Sequence, residues 1–243
     1  VPSATRGDGT PGGRPRTLLE ACVSSLAEAR AAIAAGADRL ELCGPGDGGT
    51  TPSLALTEAC VALAPVPVHV MIRPHTRDFT VDVDWRAIMR RDVVRARRAG
   101  ARGVVLGALT PEGALDAETV AQCLHEADGL AVVFHRAFDR IAAPARALDQ
   151  LVALGVRAVL TAGGPGRAVE ASARLGAWQR QVGDALTIMA GGGVRAHAFA
   201  PLVTEAGLRA LHAAATDPAT FADLARALRA LEDAPAPVPA AHA

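Results

Sequence analysis

The sequence contains no tyrosine, and only 3% of its 243 residues are aromatic. Ala and Val must therefore fill much of the core, and no run of aromatics interleaved with basic side chains is available to stack nucleobases. Net charge is also missing, since 25 Lys+Arg balance 25 Asp+Glu. Without a positive field or a dense basic stripe, nucleic acid is not an expected partner. No apolar run approaches the ~20 residues that cross a bilayer, and the amino-terminal segment has no apolar stretch of the secretory kind, so no membrane association and a cytoplasmic location are expected. The four cysteines, Cys22, Cys43, Cys60 and Cys123, form no CxxC pair and no dense framework, which suits free thiols in a reducing compartment. A Gly-rich dinucleotide fingerprint after the first strand is absent too. That argues against an open doubly wound sheet and leaves no organic cofactor indicated.

What is present is a globular composition, 50% hydrophobic and 21% charged, at a length close to the ~250 residues of one α/β barrel. Residues 1–16 are rich in Gly, Pro and Arg, and residues 233–243 alternate Pro with small residues. Both read as disordered tails around a single domain at 17–232. Within it an Ala-Gly-x-Arg unit followed by a β-like run recurs in variant form, with its glycine at Gly36, Gly100, Gly155 and Gly207. Each glycine falls where a helix must stop. Helix starts are marked by the capping-box pattern Ser25–Glu28, by Pro144 and by Asp217-Pro218. Further helices are expected near 53–64, 84–99, 116–127, 167–182 and 196–206. Strands are expected near 18–22, 39–43, 67–73, 103–107, 131–136, 157–161, 186–190 and 209–212. Eight short apolar strands alternating with eight helices imply a parallel sheet buried on both faces and closed into a single-domain (β/α)8 TIM barrel.

Side-chain parity then sorts the strands, because alternate residues face the lumen. Glu20 and Cys22 share one face of the first strand. In the second, Leu40 and Leu42 should meet the helices, which turns Arg39, Glu41 and Cys43 inward. The two strands thus repeat Glu-x-Cys at corresponding positions, and neighbouring strands lie ~4.8 Å apart, close enough for two thiolates to share a soft metal ion. In the third strand the same parity aims His69, Met71 and Arg73 inward. The fifth ends in His135, Arg136 and Asp139, and the eighth in His212. Glycine-rich loops close the same end: Gly44–Gly49, Gly163-Gly164 and Gly191-Gly192-Gly193, whose amides offer an anion site together with His212. Each member also has a plainer reading. Cys60 and Cys123 are small core hydrophobes on helices, His69 is a core histidine, and Arg73 and Asp139 form an ion pair across the top of the barrel.

These residues carry a resemblance to the CutC family, long described as copper homeostasis proteins. The matching segments are Leu19–Cys22, Gly36–Cys43, Gly48–Ser53, Ile72–Pro74 with Asp78-Phe79, Phe134–Asp139, Leu160–Gly164 and Met189–Val194, which together span nearly the whole domain. The resemblance implies a single-domain barrel, a cytoplasmic location and copper(I) binding at Cys22 and Cys43. The chain departs from the family pattern at His75, where a second arginine is usual, and at Ala210 and Ala214, where an acidic residue and a serine are usual.

Two functions from different classes follow. One is copper(I) binding without catalysis, by Cys22 and Cys43 with Met71 or His135 as further ligands. The other is an enzyme acting on a small anionic or sugar-like substrate. In it Arg73 neutralises the anion, Glu20 or Glu41 acts as acid or base, His135 shuttles the proton, and Asp139 stands in the same set. The expected partners are accordingly a copper ion or a small-molecule ligand, and association of two copies into a homodimer through exposed helices is compatible with the fold.

Overall fold

The computed structural model describes residues 16–46 and 49–234. The tails expected at 1–15 and 235–243, and Asp47-Gly48 of the first glycine loop, lie outside the described residues. Eight parallel strands pair in sequence order and close on themselves: β1 Leu18–Val23, β2 Arg39–Leu42, β3 Val68–Ile72, β4 Gly103–Leu106, β5 Ala131–Phe134, β6 Ala158–Thr161, β7 Thr187–Ala190 and β8 Ala210–Ala214. Among the described residues eight α-helices alternate with them: α1 Leu26–Ala34, α2 Leu54–Leu63, α3 Val83–Arg98, α4 Ala117–Ala127, α5 Pro144–Leu154, α6 Ser172–Val182, α7 Ala200–Thr204 and α8 Pro218–Asp233. The chain is a (β/α)8 barrel.

Local chemistry sets the boundaries. Ser25, Ser53, Asp82, Asp116 and Asp217 each accept a backbone N–H of the first helical turn that would otherwise lack a partner. Pro144 and Pro218 open α5 and α8, where a missing N–H is harmless. All four repeat glycines take positive φ, between 71° and 95°. Two helices are shorter than the sequence suggests. The Ala168 N–H donates to Gly192 O at 3.0 Å, which holds Ala168–Ala171 in a 3-10 turn ahead of α6. The segment after β7 coils through turns closed on Arg195 O before α7 starts beside Pro201. Arg16 reaches Asp38 at 2.7 Å, and Glu232 of α8 accepts the Thr17 N–H at 2.5 Å, so α8 clamps the start of β1.

Two apolar layers result. The larger lies between strands and helices and holds Leu40, Leu42, Phe134, Phe138 and Phe221. The smaller fills the lumen with Met71, Val105, Val133, Ala158, Leu160, Met189 and Ala210, against Cys43 and Cys22. Shape follows from composition here, since slim lumen side chains leave room for Arg39 to cross the barrel and place a terminal nitrogen 3.2 Å from Met189 Sδ.

The register corrects one expectation. Glu20 pairs with Arg39 and Cys22 with Glu41, so the two Glu-x-Cys units are offset by two residues and not level. Barrel closure requires such stagger between tilted strands. The offset places Glu20 between Arg39 on one side and His212 of β8 on the other.

Candidate functional site

Three strands build a buried polar pocket near the carboxyl end of the lumen. Glu20, fully buried, accepts from Arg39 Nε at 2.5 Å and lies 2.8 Å from His212 Nδ1. The other ring nitrogen of His212 stands 3.7 Å from Glu41 Oε2. That same carboxylate oxygen is 3.6 Å from Cys43 Sγ, and Cys43 Sγ is 3.8 Å from Cys22 Sγ. Cys22, Glu41 and Cys43 offer ligand atoms within 4.8 Å of one another, and so do Glu20, Glu41 and His212. Glu41 Oε1 is buried and has no hydrogen-bond partner among the described residues. Parity predicted that Glu20, Cys22, Glu41 and Cys43 share this face, and they meet here. His212, which the sequence suggested for an anion site, belongs to this acid-base cluster. Arg39 was read as facing inward but given no role, although its place in Arg39-Leu40-Glu41 marks it as the cation nearest the two carboxylates.

The two glutamates are driven apart electrostatically. Burial pushes Glu20 upward, but Arg39 and then His212 outweigh it and hold the carboxyl at about 2. Glu41 is raised well above the usual carboxylate range, by burial first and then by the charges of Cys22 and Glu20 against the opposing pull of His212. Burial likewise works against the imidazolium of His212, yet Glu41, Cys22 and Glu20 together raise it. The thiols divide in the same way, because the hydrogen bond between them favours a thiolate on Cys22 and a retained proton on Cys43. Opposite shifts in adjacent carboxyls are the pattern of a site that keeps one acid and one base at neutral pH.

A second group lies on β3 and β5. His135, 3% exposed, accepts the Ala137 N–H at Nδ1 over 3.2 Å, which leaves the proton on Nε2, and Nε2 is buried without a partner among the described residues. Gly107 of the β4 loop makes room for this ring, since a Cβ there would fall 2.4 Å from Nδ1. Burial and then the charge of Arg73 lower His135 to about 3. A ring so held is a neutral hydrogen-bond donor at neutral pH. Arg73 lies over the Phe79 ring, 4.7 Å from its centroid, and donates to Thr76 O at 3.2 Å. His69, also buried and lowered to about 4 by burial and Arg39, occupies the space left by Gly103.

Asp139 stands apart from both groups. It accepts from Thr161 Oγ1 at 2.5 Å, from the N–H groups of Ala162 and Gly164 at 3.0 and 3.2 Å, and from Arg136 Nε at 2.9 Å. Its ion pair is thus with Arg136, three residues away, and not with Arg73. Asp139 fastens the β6 turn and aims Arg136. The sequence signal was the i,i+3 spacing of the two charges. Of the three glycines after β7, Gly191 donates its N–H to Thr161 O at 2.9 Å. Cys60 and Cys123 are buried on α2 and α4, with their thiols raised by burial, to about 12 for Cys123.

Among the described residues no helix is long and apolar enough to cross a membrane. The model of the CutC family matches residues 17–217. A protein named as a CutC family protein from Caulobacter vibrioides is 43% identical over 209 residues, 86% of this chain and 85% of its own length. One from Porphyromonas gingivalis is 40% identical over 195 residues, 80% and 79% of the two chains. Among solved structures, the putative copper homeostasis protein CutC from Streptococcus agalactiae superposes with a TM-score of 0.77 at 32% identity, over 82% of this chain and 98% of that one. An aldolase, QR15, superposes at 0.65 with 12% identity over 87% and 94% of the chains, which is a likeness of fold alone.

Proposed function

Since the chain belongs to the CutC family, we propose that it captures a copper(I) ion between Cys22 and Cys43, with Glu41 beside them. The observation that carries this reading is the pair of sulfurs at 3.8 Å next to a buried carboxylate oxygen that lacks a partner. With metal–sulfur bonds of ~2.3 Å, that separation is the chord of an angle near ~110°. One ion therefore fits both sulfurs in a bent arrangement and leaves a position open toward Glu41. A buried, unpaired oxygen costs ~1–3 kcal/mol or more for a charged group, and a bound cation would relieve that cost. Copper(I) prefers soft thiolates, and the relative from Streptococcus agalactiae is titled a putative copper homeostasis protein. Titration of the reduced protein with copper(I) against a competing chelator tests the reading. Binding should be lost in the Cys22→Ser/Cys43→Ser variant and weakened in Glu41→Gln. Equal affinity of the double variant and the parent would sink it.

A second reading is favoured by a different observation, the His212 ring set between two buried carboxylates at 2.8 and 3.7 Å. That arrangement suits acid-base chemistry on a small anionic or sugar-like substrate, with Glu41 as the acid and the His212 imidazolium, held by the ionised Glu20, as a second proton donor. Thermal-shift screening against sugar phosphates, polyols and carboxylates tests it, because a ligand well above its Kd raises stability by ~2–4 kcal/mol. Silence across the panel would count against it.

A further inference from the structure

The three glycines after β7 each leave space for a different side chain. A Cβ on Gly191 would lie 2.4 Å from Leu160 Cδ1 and 3.3 Å from His212 Cβ and Cδ2, one on Gly192 would lie 3.0 Å from Ala162 Cβ and 3.4 Å from Arg136 Cζ, and one on Gly193 would lie 3.2 Å from Arg167 Cγ. Gly192 and Gly193 also hold φ of 106° and 73°, a backbone that other residues rarely adopt. The turn therefore packs closely on Leu160 and Ala162, with the Arg136 guanidinium and the aliphatic stem of Arg167 also against its backbone and His212 beside Gly191.

Both arginines are available to a ligand. Arg136 is 48% exposed and uses only Nε on Asp139, so among the described residues its two terminal nitrogens have no partner. The Asp139 charge is in turn shared among the Thr161 hydroxyl and the Ala162 and Gly164 N–H groups, which leaves the guanidinium under-neutralised. Arg167 is exposed and makes no ion pair among the described residues. Beside the turn, Arg167, Gly193, Arg195, His197, Thr220 and Asp223 line a cleft of about 430 Å³, and Asp223 is paired with Arg226 at 2.9 Å. Planar guanidinium groups on a glycine turn bind phosphate through paired, charge-assisted hydrogen bonds.

We infer that the Gly191–Gly193 turn, flanked by Arg136 and Arg167, binds the phosphate group of a small phosphate monoester whose other end lies toward His212. The assignment goes beyond copper capture and stands without it. It keeps the anion site expected at Gly191-Gly192-Gly193 and assigns its charge to Arg136 and Arg167 in place of Arg73, which lies over Phe79. Asp139 is a positioning residue in this arrangement.

Calorimetric titration of the full chain with inorganic phosphate and with glycerol 3-phosphate, at low ionic strength, tests the inference. Saturable binding is expected for both, tighter for the ester, whose polyol extends toward His212. Arg136→Gln and Arg167→Gln should each weaken binding ~tenfold or more. Arg136→Lys, which keeps the charge and loses the planar pair of donors, should fall between. Because Arg167 is exposed, its variant stays informative if Arg136→Gln unfolds, and thermal melts report on folding. The Cys22→Ser/Cys43→Ser variant should bind the ester like the parent, so loss of copper binding and loss of phosphate binding are read separately. Absence of saturable binding to the parent chain, equal affinity in the folded Gln variants, or an ester no tighter than inorganic phosphate would each overturn the assignment.

Discussion

Replacing Glu20 by Gln conserves the volume of a fully buried side chain and removes a charge that faces Arg39 at 2.5 Å and His212 at 2.8 Å. Two routes give the size of the loss. Breaking a buried pair by removing one partner costs ~3–5 kcal/mol, because the remaining charge stays buried. Independently, a carboxyl drawn from 4.5 to about 2 by folding contributes about 3 kcal/mol at neutral pH. The lower figure is the better expectation, since loss of Glu20's charge also lets Glu41 ionise more readily and so offsets part of the cost. Glu20 has its folded value below its unfolded one, so its contribution is complete above pH 4.5 and is lost as pH falls toward 2. Urea unfolding of parent and Glu20→Gln at several pH values should show a gap of about 3 kcal/mol near pH 7 that closes toward pH 2. A gap under ~1 kcal/mol at neutral pH, the size of an exposed pair, or a gap that does not change with acid, would refute the reasoning.

Gly103→Ala should destabilise the barrel by ~1–3 kcal/mol, because the new methyl group would meet the Ala131 carbonyl oxygen at 2.7 Å and the His69 ring at 2.6 Å; denaturant unfolding checks it. Imidazole resonances of His135 should report a neutral ring from neutral pH down to near 3, and since its folded value lies below the ordinary 6.5, its environment makes stability fade as pH falls between those limits. Titration of His135 near 6.5 would contradict this. Asp139→Ala should cost ~3 kcal/mol by leaving the Thr161, Ala162 and Gly164 donors unmatched, and should weaken phosphate binding as well, whereas a loss of stability alone would make Asp139 a structural anchor only. Copper(I) uptake at pH 7 should release about one proton from Cys43 and up to another from Glu41, and calorimetry in buffers of different ionisation enthalpy counts them; zero release would mean that neither group holds its proton.

Much of the fold could be read from short-range chemistry. Gly36, Gly100 and Gly155 stop helices, Asp217-Pro218 starts one, and the alternation of Leu40 and Leu42 with Arg39, Glu41 and Cys43 fixes which way β2 faces. Strand register could not be read that way, because stagger belongs to the closed sheet and not to any one strand. For that reason Glu20 and Glu41 appeared level, and neither the Arg39–Glu20 contact nor the placement of His212 between two carboxylates was visible. The charges at the top of the barrel were recognised but matched wrongly. Arg73 and Asp139 suggested a pair across the mouth, whereas Asp139 bonds its own near neighbour Arg136 and the β6 turn. A residue's layer follows from parity, but its partner depends on loops whose course parity does not set.

Copper capture and acid-base chemistry draw on the same atoms, and this bears on how the pocket works. Glu41 Oε2 faces both Cys43 and His212, so a cation held by the sulfurs and Glu41 would need that carboxyl ionised. Without such a cation, burial and the neighbouring negative charges keep the carboxyl protonated. Metal and proton thus compete for one oxygen-bearing group, and each excludes the role that the other supports. Glu20 is insulated from the competition by Arg39, which lies on its far side and holds it ionised. The proposed phosphate subsite draws on other groups, because Arg136 and Arg167 take no part in the contacts among Cys22, Cys43, Glu20 and Glu41. A pocket with one carboxyl fixed in charge and one free to change, beside the proposed anion site, would hold a ligand in either protonation state of Glu41. A site built for the metal alone would not require a fully buried Glu20 held between the partly buried Arg39 and His212.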